Sequence, residues 1–147
     1  MAKAFQFRLE QLLGIRRQKE ELAQRDLAAA QAAVAVRNQS ILSLMDQEEA
    51  AKNDLRGQQA RGIDIGRLRL ADDYLMSLGR LLRREQESLN DLVRTEIERR
   101  HQLTEARKAV KVLERFRETK LRRHRQEAGL EERKFLDEVG QNLAKGA

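Results

Sequence analysis

An all-α fold, two long helices in an antiparallel coiled-coil hairpin, is predicted by three observations: an apolar stripe at alternating three- and four-residue spacing, a single glycine-rich interruption of that stripe, and the absence of proline from all 147 residues. The first stripe takes in Leu9, Leu13, Arg16, Glu20, Ala23, Leu27, Ala30, Val34, Arg37, Ile41, Leu44, Glu48, Ala51 and Leu55, apolar at 10 of 14 positions. The second takes in Leu68, Ala71, Leu75, Leu78, Leu82, Glu85, Leu89, Leu92, Glu96, Arg99, Leu103, Ala106, Val110 and Leu113, apolar at 11 of 14. A period of about 3.5 residues buries a narrow seam against a partner helix instead of filling a globular core. With one interruption, the chain becomes its own partner. Proline costs about 3 kcal/mol in a helix interior, so a proline-free chain is free to be helical almost throughout.

The elements follow in order. Helix one is expected over residues 5–56, a turn over 57–66, and helix two over 67–139 with a frayed C-terminal tail, all within one coiled-coil domain spanning 1–147. Gly57, Gly62 and Gly66 mark the turn, and Asp64 is placed to cap the second helix. At 1.5 Å rise per residue the helices are roughly 80 and 110 Å long. Folding back about Gly62 brings Phe5 near Thr119, Arg37 near Glu85 and Glu87, and Glu48 near Arg80. Charged residues in a seam cost stability but fix register when paired. The run Ala28 to Ala35 faces Leu89, Leu92 and Glu96, which predicts a weaker middle than either end.

The composition excludes several classes of function. Charged residues make up 37% and aromatics 3%, too polar a mixture for a large core. No cysteine is available for a disulfide or a thiolate metal site. The longest apolar run, Leu27 to Val36, is interrupted by Gln31 and reaches about half of the roughly 20 residues that cross a bilayer. Lys3, Arg8 and Glu10 break up any signal-peptide core, so a soluble cytoplasmic protein is expected. His101 and His124 lie about 35 Å apart on one helix and read as solvated helix-face residues that cannot share a site. No phosphate-binding loop, nucleophile elbow or metal-ligand spacing occurs. Neither catalytic residues, nor a cofactor, a metal or a small-molecule substrate is expected, and the chain reads as a non-enzyme.

Charge is the first functional signal. Between Arg107 and Arg125 there are nine basic residues against Glu114 and Glu118, whereas residues 1–50 are balanced at seven and seven. Such a segment suits a solvated face, an acidic protein partner or nucleic acid. It lacks the interleaved aromatics of a base-stacking surface. The opening Phe5-Gln6-Phe7-Arg8-Leu9 either staples the first helix onto Leu113 and Phe116, contacts a membrane surface, or meets a partner protein. After the turn, Tyr74 and Leu81 fall beside the seam that Leu75, Leu78 and Leu82 occupy, which makes an exposed apolar strip.

Taken together, Phe5-x-Phe7-Arg8-Leu9-Glu10-x-Leu12-Leu13, the tyrosine and leucines after a glycine turn, and Val112-Leu113-Glu114-Arg115-Phe116-Arg117-Glu118 resemble the flagellar export protein FliJ family along essentially the whole chain. That resemblance implies a stalk and chaperone-escort component of the flagellar type III export apparatus, peripheral to the inner membrane through its partners. It implies insertion of the end bearing both termini into the hexameric export ATPase, contact with the transmembrane export gate, and handling of export chaperones. The ATPase contacts are expected at Phe5, Phe7, Arg8, Arg115, Arg117, Arg122 and Arg123, and the gate contacts carry over by position to Tyr74, Leu78 and Leu81. Glu85 departs from the neutral or basic residue expected one turn on. Two other readings stay open: an arginine-rich coiled coil that binds nucleic acid or the ribosome, and a homo-oligomeric structural rod. A virulence-type secretion stalk has a similar pattern.

Overall fold

The computed structural model describes residues 3–146. It is a helical hairpin of α1 (Glu10–Arg61) and α2 (Ile65–Lys145), with no strand among the described residues. All 28 stripe positions are buried or half-buried, so the seam read from spacing is the seam that forms.

The element bounds differ from expectation. α1 begins at Glu10 instead of Phe5, because residues 3–7 run along α2 without regular structure and only then turn into the helix. The expected ten-residue turn contracts to residues 62–64. A reversal of this kind needs one residue with positive φ, and Gly62 supplies it at +88°. Its N–H donates to the Gln59 carbonyl at 3.3 Å, closing α1. Asp64 then caps α2, its Oδ1 accepting from the Arg67 N–H at 2.7 Å. A Cβ at Gly66 would stand 3.3 Å from that Oδ1, so glycine leaves the cap room. α2 continues past Val139 to Lys145 instead of fraying.

The chain divides into two compact units: Met1–Leu22 with Thr104–Ala147, and Ala23–Leu103. In the second, Ile41, Leu78, Leu82 and Leu103 are buried. Arg37 pairs with Glu85, and Ser40 Oγ donates to the same carboxylate at 3.4 Å, as the register requires. Glu48 does not reach Arg80; it pairs within α1 with Lys52 at 3.0 Å. No side chain from Arg83 to Gln102 is buried, the thin middle expected opposite the alanine run.

In the first unit Leu13 is fully buried and Val110 is 4% exposed. Three ion pairs join the two helical segments: Glu10 with Arg117 at 2.9 Å, Arg17 with Glu114 at 3.4 Å, and Glu20 with Arg107 at 3.8 Å. Exposed pairs of this kind are worth about 1 kcal/mol or less each, and they serve register more than stability.

Candidate functional site

Within the terminus-bearing unit, the segment before α1 lies against the basic stretch of α2. The Phe7 and Phe116 rings meet at 5.8 Å between centroids, the staple anticipated from the sequence. Phe5 passes Thr119 and reaches the His124 ring at 5.7 Å. An extended segment advances about 3.3 Å per residue against 1.5 Å for a helix, so it outruns a helix-to-helix register. His124 is therefore half-buried against an aromatic ring instead of solvated, while His101 is exposed.

Of the residues expected to touch an ATPase, four are already engaged within the chain. Arg117 donates from Nε to Glu10 and lies 5.6 Å over the Phe5 ring, a cation–π distance. Phe5 and Phe7 are half-buried by their α2 contacts. Arg122 pairs only along its own helix, with Glu118 at 3.3 Å. Arg8, Arg115 and Arg123 are exposed, and no ion pair engages them among the described residues. A groove of about 740 Å³ opens between the extended segment and α2, lined by Phe5, Phe7 and Phe116 with Arg8, Lys120 and Arg123, and by one carboxylate, Glu127. Lys120 lies 5.4 Å over the Phe116 ring. An aromatic trough with cationic margins suits an apolar segment flanked by carboxylates.

The other unit carries the turn-proximal strip. Tyr74 is 51% and Leu81 41% exposed, and they share their face with the exposed Leu70. Leu78, expected both in the seam and among the gate contacts, is 5% exposed and lies in the seam. Sequence spacing missed a second strip. Leu42 and Met45 each follow a seam residue of α1, and Met76 follows one of α2; all three are more than half exposed. In an antiparallel pair the positions just after the seam in both helices share a side, so these three gather opposite the Tyr74 side. The signal was present in Ile41-Leu42 and Leu75-Met76, doubled apolar residues where a seam needs one.

Among the described residues no group of three His, Cys, Asp or Glu is placed to hold a metal ion. No helix there is long and apolar enough to cross a membrane.

Comparison with known proteins adds family and fold. The family described as "Flagellar FliJ protein" matches residues 5–147. A solved structure described as a YscO homolog, CT670 from Chlamydia trachomatis, is similar at a TM-score of 0.56 and 18% identity, covering 97% of this chain and 96% of that one. At that identity the likeness is one of fold. No curated protein matches the chain.

Proposed function

Because the chain belongs to the FliJ family of flagellar proteins, we propose that it is a non-enzymatic stalk and chaperone-escort component of the flagellar type III protein export apparatus. In this reading the terminus-bearing unit enters the hexameric export ATPase, and the turn-bearing unit meets the transmembrane export gate. Export chaperones are further partners, and membrane association is peripheral and indirect.

The observation that supports it best is the partition of charge. The unit Met1–Leu22 with Thr104–Ala147 holds 17 basic and 11 acidic residues, the whole net +6, whereas Ala23–Leu103 holds 13 of each. One unit is suited to acidic surroundings, and the other, without net charge, carries the exposed Tyr74 and Leu81 strip. On the basic unit the contacts fall to Arg8, Arg115, Arg122 and Arg123 with the aromatic groove. Arg117, Phe5 and Phe7 shape that groove. On the neutral unit they fall to Tyr74 and Leu81, with Leu78 supporting them from the seam.

The test is a pair of variants assayed against both partners. Tyr74→Asp with Leu81→Asp is expected to abolish binding to the cytoplasmic part of the export gate and to spare ATPase stimulation. Arg8→Glu with Arg115→Glu, Arg122→Glu and Arg123→Glu is expected to do the reverse. Loss of both activities in either folded variant, judged by circular dichroism, would overturn the division of labour.

A further inference from the structure

Beyond Gly129 every described residue of α2 is exposed, yet the sequence there is not that of a solvated tail. Phe135 is 64%, Leu136 59% and Leu143 72% exposed, and Val139 joins them. At 3.6 residues per turn, Ala128, Glu132, Phe135, Val139 and Leu143 form one stripe, apolar at all but Glu132, with Leu136 on its edge. Charge changes here too. Residues 107–125 carry nine basic against two acidic side chains, whereas residues 126–146 carry three against five. An acidic partner that receives the basic stretch is therefore a poor occupant for this stripe.

The flanking charges fit a different one. Glu127 and Lys145 are 18 residues apart, five turns, and so share a face; Lys134 and Glu138 fall within about 20° of it. Glu127 and Lys145 each lie nine residues from Leu136, and Lys134 and Glu138 each lie two. None of the four makes an ion pair within the chain among the described residues. A two-fold axis at Leu136 would set each of them opposite a charge of the other sign.

We infer that α2 from Glu127 to Lys145 pairs antiparallel with the same segment of a second copy. Phe135 and Val139 interleave across the axis and Leu136 meets its own counterpart. On one flank Glu127 faces Lys145 of the second copy, and Lys134 faces Glu138 of the second copy. The pairing is isologous, so each contact occurs twice. It concerns the chain free of other proteins, which makes its test independent of the export partners.

Sedimentation equilibrium of the full chain over a range of concentrations is the test. Wild-type protein is expected to dimerise, and Phe135→Ser to remain monomeric with its helicity retained. Lys134→Glu and Glu138→Lys each set like charges across the axis twice and are expected to weaken the dimer by on the order of tenfold. Mixing these two variants restores both cross-axis pairs while leaving like charges at i,i+4 within each chain, so co-assembly near wild-type strength is the deciding result. Monomers at every concentration would overturn the inference. So would a dimer indifferent to Phe135→Ser, or variants that fail to recover on mixing.

Discussion

Arg37 sits at a seam position where an aliphatic residue would pack without cost. Its guanidinium engages Glu85, Ser40 reinforces that carboxylate, and its Nε is buried without a hydrogen-bond partner. A partly buried pair of this kind adds little net stability over apolar residues, but half of it is worse than none. Arg37→Met alone is expected to lower unfolding free energy by roughly 1–3 kcal/mol, and Arg37→Met with Glu85→Met to recover most of that loss in urea melts. Simple addition of two losses would show that the pair is a net stabiliser. Leu78 and Tyr74 give the complementary contrast. Leu78→Ala should cost about 2–4 kcal/mol, whereas Tyr74→Ala should stay within about 0.5 kcal/mol of wild type, and thermal melts separate a seam residue from a presented one. The Arg37–Glu85 pair was legible in the sequence because both residues interrupt the seam at matching distances from Gly62. Glu48 was not legible as a partner of Lys52, because spacing alone does not rank a local i,i+4 contact above one across the hairpin.

Three glycines that look alike in the sequence behave differently as parts of elements. Gly57 is helical and has open space where a Cβ would go, while Gly62 alone has positive φ. Gly57→Ala is therefore expected to stabilise by about 0.5–1 kcal/mol, and Gly62→Ala to destabilise by about 1 kcal/mol. Asp64→Ala should cost about 1 kcal/mol through loss of the cap. Differential scanning calorimetry of the three variants checks the signs, and equal signs for the two glycines would place the reversal elsewhere. Both helices, their seam and their capping aspartate could be read from periodicity and one polar residue. The length of the turn could not, because a lone glycine inside a helix costs only about 1 kcal/mol, which flanking seam contacts at Leu55 and Leu68 offset. Nor could the start of α1: Phe5 and Phe7 continue an apolar pattern that suits a helix and an extended strap equally well.

At the scale of the molecule, the partition of charge predicts two kinds of salt dependence. Binding through the basic unit should weaken markedly between 50 and 300 mM salt, since the screening length shortens from about 14 to about 6 Å over that range, whereas binding through Tyr74 and Leu81 should change little. Surface plasmon resonance against the export ATPase and the gate at two ionic strengths makes the comparison; parallel salt slopes would sink it. Charge reversal at Arg8, Arg115, Arg122 and Arg123 should act chiefly on the association rate. The basic stretch was plain in the sequence, but which arginines are available was not. Arg107 and Arg117 are drawn into pairs with Glu20 and Glu10 that depend on where α1 begins.

The partition also sets an order of events. Because the excess positive charge belongs to one unit and the other is neutral, an acidic assembly captures the charged unit from a distance, while the apolar side chains of the other act only at contact. In the proposed function, encounter with the acidic partner would therefore precede docking of the neutral unit, an order set by a difference in range between two forces, with no conformational signal required.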